Sequence, residues 1–289
     1  MVDTILQSVT RLPPFPAVIQ RALQLIDNPR SSAQDVVEVI QYDHSITVDV
    51  LKLCNSASFG LRRTVHSLKD ALVLIGFQQL LEIILSQASA KLFSRACDGY
   101  DLERGELWRH SVACALLPKI ISKRLNREAK TAHFTAALLH DAGKIVLSQY
   151  VKDYAADIRK AIQEEHLSFI EAEKKVLGMD HAEVGSWIME QWAFPKAIVS
   201  AVRYHHTPFL TLEDHEFVQL IYLSDLVAIL TGIGGGADGL SYHGYEKVMQ
   251  QYDLNITDIQ RFIVQLEDQF QRVRKILKLN ADVFASQPS

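Results

Sequence analysis

The run Leu138-Leu139-His140-Asp141-Ala142-Gly143-Lys144 ends an apolar approach in adjacent ionisable residues, so an imidazole and a carboxylate arrive together where they are expected to be buried. Burial of both costs free energy unless something compensates their desolvation, and a divalent cation would compensate both. Neighbouring residues on a helix of 3.6 residues per turn point about 100° apart, so His140 and Asp141 address two adjacent points better than one. His205-His206, just before Pro208, poses the same geometry again. Together with His110, His181 and Asp225, these residues form a candidate metal-ligand set. A consistent division gives one ion His110, His140, Asp141 and Asp225, and the other His181, His205 and His206 with Asp141 bridging. Two ions roughly 3.5–4 Å apart clamp a phosphoryl group and activate a water between them. So many imidazoles favour iron, manganese or zinc over magnesium, and one or two ions of iron or manganese are the expectation. Lys144 shares a helical face with His140, where its ammonium either holds a substrate phosphate or pairs with Asp141. Asp141 and Lys144 are therefore the candidate catalytic residues. His44, His66, His133, His166, His215 and His243 lack a partner pattern and read as ordinary side chains.

These side chains need helices to hold them. Apolar residues recur at helical spacing almost throughout, as in Val18, Ala22, Leu25 and Ile26, and alternating strand patterns are scarce, so the fold class is all-α. Ser32 with Asp35, Ser67 with Asp70, Ser168 with Glu171 and Asp180 with Glu183 each place a capping oxygen three residues before a carboxylate. Pro118, inside the apolar run after His110, predicts a kink or break there. Leu12-Pro13-Pro14-Phe15-Pro16 is too rich in proline for a helix interior and predicts an extended segment across the surface. Asn55-Ser56 can end a helix in a turn through side-chain bonding to the backbone. Three segments follow: a helical part over residues 1–95, a His-rich part over 96–231, and a glycine connection with a helical tail over 232–289. The tail carries Ile259, Phe262, Ile263, Leu266 and Phe270 on one face and can dock on its own domain, the favoured expectation, or on another subunit. The stretch Gly232 to Gly239 follows a helix-like run and lacks a Gly-Lys-Ser/Thr ending, so it reads as a flexible connection rather than a nucleotide loop.

Of 289 residues, 48% are hydrophobic and 22% charged, the balance of an ordinary globular chain long enough for two modest cores. A formal charge of −4 and a pI near 6.3 provide no basic field for a phosphate backbone, so nucleic acid is not expected as a partner. Met1-Val2-Asp3-Thr4 lacks the features of a signal peptide, and no apolar run approaches a membrane span of roughly 18–20 residues. The cytoplasm is the expected location. Cys54, Cys97 and Cys114 are widely spaced without a CxxC, which predicts reduced, buried thiols rather than a disulfide framework or a thiolate zinc site.

The order His110, His140-Asp141, Asp225 resembles the H…HD…D signature of the HD superfamily of metal-dependent phosphohydrolases, and HDAGK at 140–144 is similar to its HDxGK core. His181, His205 and His206 resemble the second-metal ligands of the HD-GYP branch. His206 is followed by Thr207-Pro208-Phe209 rather than a GYP motif, so the resemblance does not carry cyclic di-GMP hydrolysis with it. Leu12 to Pro16, Asp43 to Val50, Leu53-Cys54-Asn55-Ser56-Ala57-Ser58-Phe59-Gly60, Ser67 to Ala71 and Leu74-Ile75-Gly76 resemble the HDOD family, over roughly residues 10–230. That resemblance implies an all-α lobe joined to an HD-like helical lobe and a bacterial regulatory or signal-transduction role. Its expected partner is a signalling protein or a small phosphorylated ligand, and its metal site is structural or sensory. The ligand set and Lys144 support a second reading, a metal-dependent phosphohydrolase or phosphodiesterase using a metal-bridging hydroxide. Paired-iron oxygen chemistry, which some HD-fold proteins perform, is a third and weaker one.

Overall fold

The computed structural model describes residues 1–26, 30–57, 59–61, 63–211, 215–234, 236 and 245–276. Among them the chain is helical, with no strand beyond one isolated bridge between Cys97 and Leu102. The first helices are α1 (Val2–Thr10), α2 (Ala17–Ile26), α3 (Ala33–Ile40), α4 (His44–Cys54), α5 (Leu68–Ile75) and α6 (Phe77–Phe93). A 3-10 turn, Asp98–Tyr100, precedes α7 (Glu106–Arg124), α8 (Thr131–Leu139), α9 (Lys144–Asp153), α10 (Ala155–Glu165) and α11 (Phe169–Leu177). The chain continues through α12 (His181–Gln191), α13 (Lys196–Tyr204), α14 (His215–Leu230), α15 (Tyr245–Gln251) and α16 (Ile256–Ile276).

The expected caps form, including those of α11 and α12 beside the site. Ser32, Ser168 and Asp180 each accept from the backbone three residues on while Asp35, Glu171 and Glu183 reach back, completing capping boxes on α3, α11 and α12. Ser67 caps α5 in the same way, with Asp70 accepting instead from the His66 backbone. Asn55 ends α4 and grips the next loop twice: its Nδ2 donates to the Val65 carbonyl at 2.8 Å and its Oδ1 accepts from Val65 N at 2.7 Å.

Helices α2 to α6 pack on one another, and α6 then lies against α7 and α8. Helix α7 is central, flanked by α6, α8, α14 and α16, and buries residues on most of its circumference. It continues as one helix through Pro118, so of the expected kink or break the break does not occur. A proline in a helix interior costs about 3 kcal/mol, and the packing of α7 against four neighbours outweighs that local preference.

Two segments extend the core from the chain's ends. Helix α1 packs on α9 and α12, with Ser8 Oγ 2.9 Å from Tyr150 Oη, so the first residues join the His-bearing helices rather than the group α2 to α6. Phe15 follows: it is fully buried, 5.4 Å from the rings of both Trp192 and Phe194. Full burial of such a side chain is worth about 1.5–3 kcal/mol, so the extended proline-rich segment is pinned by its aromatic residue as it crosses the fold. At the other end α16 buries Ile259, Phe262, Leu266 and Phe270 against α7 and α14, as its amphipathic face predicts. Arg124 fixes its start, with Nε 2.8 Å from Asp258 Oδ1 and Nη2 3.2 Å from Oδ2. Of the glycine stretch, Gly235 and residues 237–239 lie outside the described residues, as does His243. No helix among the described residues is long and apolar enough to cross a membrane.

Candidate metal centre

Helices from distant parts of the sequence meet at one buried point. Helix α7 supplies His110, α14 supplies Asp225, the turn after α8 supplies His140 and Asp141, α12 opens on His181, and α13 ends at His205-His206. The turn from His140 to Lys144 is tight: Ala142 N bonds Leu139 O at 3.0 Å and Lys144 N bonds Asp141 O at 3.0 Å. Gly143 lets α12 close upon this turn, since a Cβ there would lie 1.9 Å from the His181 carbonyl oxygen. Gly185 completes the close approach from the other side, where a Cβ would come within 2.9 Å of Val202 and 3.3 Å of Gly143 N. The Gly of HDAGK thereby brings the first turn of α12 to Asp141.

All the sequence-predicted site residues converge, and all are buried, from His140, His181 and His205 at 0% exposure to His206 at 8%. Asp141 stands between two groups. Its Oδ2 lies 3.4 Å from His140 Nε2 and 3.7 Å from His110 Nε2, while its Oδ1 lies 3.5 Å from His181 Nε2 and 3.7 Å from His205 Nε2. Asp225 Oδ1 is 2.9 Å from His110 Nε2 and 3.5 Å from His140 Nε2, and His181 Nε2 is 3.0 Å from His206 Nε2. Lys144 places Nζ 2.8 Å from Asp141 Oδ2, so it pairs with the carboxylate.

The imidazoles are oriented by acceptors behind them. Nδ1 of His110, His140 and His205 lies 2.9, 2.7 and 2.6 Å from the carbonyls of Ile233, Ala137 and Val202, and Nδ1 of His181 lies 2.8 Å from Glu173 Oε2. Because a carbonyl or carboxylate oxygen only accepts, each Nδ1 carries the proton, and in neutral His140 and His205 Nε2 presents its lone pair to the centre; His110 Nε2 instead faces Asp225 Oδ1 at 2.9 Å, where a proton or a metal ion must lie between them. An acceptor behind Nδ1 is the support that metal-ligating histidines use. Ile233 belongs to the glycine stretch, so its first residues pack over His110 rather than hanging free. Three inward atoms, His140 Nε2, Asp141 Oδ1 and His205 Nε2, are buried without a hydrogen-bond partner among the described residues. Such groups cost about 1–3 kcal/mol each when left unsatisfied, and a cation at the centre would satisfy them together. Two groups could hold an ion: His110, Cys114, His140 and Asp225, and Asp141, His181, His205 and His206.

The electrostatics agree with that fit. Burial alone would raise Asp141 and Asp225, but the surrounding imidazoles, with Lys144 beside Asp141, hold both carboxyls well below the usual range. Burial drives His205 down to about 3 and His206 well below its ordinary value, leaving both rings neutral and able to donate lone pairs. For His181 burial is outweighed by Glu173, which raises it to about 9, and for His110 by its contacts with Cys114 and Asp225. These two positions favour positive charge, whether a proton or a metal ion supplies it.

Sequence reasoning missed three residues here. Cys114 is fully buried with Sγ 3.4 Å from His110 Nε2 and 3.7 Å from Asp225 Oδ1; its spacing of four from His110 was the available signal. Glu173 is fully buried and accepts from His181 Nδ1, from the His181 backbone at 3.2 Å and from the Tyr100 hydroxyl. Tyr100 also sets its ring 5.5 Å from Lys144 Nζ. All three cysteines are free and buried.

The HDOD domain family matches residues 12–208 of the chain. An uncharacterised protein of Treponema pallidum (strain Nichols) is 22% identical over 204 residues, which is 70% of this chain but only 39% of that protein's length. Among solved structures, an HDOD domain protein of unknown function from Geobacter sulfurreducens aligns with a TM-score of 0.69 and 22% identity, covering 95% of this chain and 98% of that one. A Marinobacter aquaeolei protein assigned to signal transduction aligns at 0.74 with 21% identity, covering 99% of this chain and 65% of that one. A Shewanella amazonensis protein proposed to be a phosphohydrolase aligns at 0.67 with 22% identity, covering 95% and 97%. At such identities the structural likeness is one of fold. With more than half of its length matched by the family, this all-α chain belongs to the HDOD domain family.

Proposed function

We propose that the protein is a signal-transduction module of the HDOD type whose His/Asp centre holds one or two divalent ions as a structural or sensory element. The observation that carries this reading is closure: no side chain of the proposed ligand set is more than 8% exposed. A catalytic metal keeps a coordination position for water or substrate, and burial of every donor residue leaves a substrate little route to one. Lys144 supports the same reading, since it is 4% exposed and its ammonium is engaged with Asp141 Oδ2. When bound, an ion supplies the positive charge that offsets the desolvated carboxylates of Asp141 and Asp225. His110, His140, His181, His205 and His206 are the proposed neutral donors, and an imidazole-rich set suits iron better than magnesium. The partner read by such a module is a signalling protein or a small phosphorylated ligand, consistent with the signal-transduction assignment of the Marinobacter relative.

Metal content and hydrolysis test it together. Elemental analysis of protein expressed with iron or manganese should find at least one ion per chain, and a generic phosphodiester should not be turned over. Turnover that disappears in both His140→Ala and Asp141→Ala would instead establish a phosphohydrolase. Substoichiometric metal after supplementation would remove the ion from the proposal.

A further inference from the structure

We infer that Cys114 is itself a metal ligand, making the half of the centre formed by His110, His140 and Asp225 an imidazole–carboxylate–thiolate site. The inference rests on the proposal that the centre holds an ion, and it concerns which donors this chain brings to it. Cys114 follows His110 by four residues on α7, so both project from one face of the same helix. Its Sγ is 3.4 Å from His110 Nε2 and 3.7 Å from Asp225 Oδ1, and the donor atoms of His110, Cys114, His140 and Asp225 all lie within 4.8 Å of one another. A second observation points to the same place: His140 Nε2, another member of this group, is buried without a hydrogen-bond partner. Its Nδ1 is committed to the Ala137 carbonyl at 2.7 Å, which leaves the Nε2 lone pair aimed inward.

A cysteine that only fills core volume behaves as a small hydrophobe and is best surrounded by apolar groups. Cys114 instead abuts an imidazole and a carboxylate at full burial. On ligation the S–H bond breaks, the proton leaves to solvent, and the sulfur lone pair forms the bond to the ion; neither sulfur nor metal changes oxidation state. A thiolate is a soft donor and shifts preference toward iron, cobalt or zinc and away from manganese and magnesium. This half of the centre therefore selects among the metals that the histidines alone would accept.

Cobalt(II) loading of the full chain tests the assignment. Elemental analysis should give at least one cobalt per chain, with a near-ultraviolet sulfur-to-cobalt charge-transfer band. The band should be lost in Cys114→Ser and retained in a Cys54→Ser/Cys97→Ser double variant. Cobalt bound by the wild-type chain without the band, or a band lost in the double variant, overturns the role of Cys114 and leaves the metal centre standing. Failure of the wild-type chain to bind cobalt overturns the metal centre itself. Should Cys114→Ser not fold, X-ray absorption of the wild-type protein decides the matter through a sulfur scatterer at about 2.3 Å, the usual metal–thiolate distance.

Discussion

Glu173 and His181 form a pair in which each explains the burial of the other. The carboxylate is fully desolvated yet accepts from the His181 ring at 2.8 Å, the His181 backbone at 3.2 Å and the Tyr100 hydroxyl. It fixes the tautomer of His181 and makes its Nε2 a better donor. Carboxylates in this position are worth about 10–100-fold in metal affinity. Glu173→Gln should weaken metal binding about tenfold, the lower end, because an amide oxygen still accepts the imidazole proton but carries no charge. Competition against a chromophoric chelator measures this, and unchanged affinity would mean that Glu173 only fills space. The sequence could not disclose this residue: Glu171-Ala172-Glu173-Lys174-Lys175 reads as a solvated helical turn, and only tertiary packing turns Glu173 inward to His181 and Tyr100. The candidate ligands were legible for the opposite reason. Pairs such as His140-Asp141 and His205-His206 end apolar runs, and that juxtaposition is visible without coordinates. Cys114 falls between these cases, since its spacing from His110 was readable but a lone thiol in an apolar run is ordinarily core.

At the scale of elements, helix starts were the most legible feature, because a capping box is a local contract between two side chains and the backbone they share. Its outcome depends little on the rest of the fold, and Ser32, Ser168 and Asp180 behave as their neighbours dictate. Pro118 stands inside a helix that does not break. Its effect on α7 is opposed by packing from α6, α8, α14 and α16, which no single sequence window contains. The HDAGK turn depends on tertiary packing as well. Gly143 has ordinary helical backbone angles, φ −63° and ψ −27°, so left-handed conformation is not what requires glycine there. Close approach requires it, because any Cβ would meet the His181 carbonyl at 1.9 Å. Gly143→Ala should therefore push α12 from the turn and separate His181 from Asp141. Overpacking of this kind costs about 1–3 kcal/mol. The expected outcome is a chain that folds with a lower thermal midpoint and loses metal stoichiometry. A Gly143→Ala protein with wild-type metal content would show that α12 can shift without disturbing the centre.

Across the whole molecule, the candidate centre joins α7, the turn after α8, α12, α13 and α14, segments that sequence separates by up to the span from His110 to Asp225. Such long-range closure is what a sequence reading specifies least. The docking of α1 and Phe15 on the His-bearing helices was hidden for that reason, while the amphipathic α16 announced its own docking face. A bound ion would act as a cross-link among these helices, and its removal should be felt by all of them. Without it, the carboxylates of Asp141 and Asp225 remain buried within one cluster, and His140 Nε2 and His205 Nε2 stay unsatisfied. Anything that binds only the folded state stabilises it by about 2.7 kcal/mol when present at a hundredfold excess over its dissociation constant. At roughly 2 °C per kcal/mol for a chain of this size, chelation should lower the thermal midpoint by about 5 °C. The loss should also have a location. Amide exchange should quicken at the start of α12 and the end of α13, whose residues meet at His181, His205 and His206, and stay unchanged in α2 to α5, which pack among themselves. Uniform acceleration across all helices would point to global unfolding rather than to a lost cross-link. Identical unfolding with and without chelator would mean that no ion contributes to the folded state, and the cluster would then stand as a network of buried ion pairs alone.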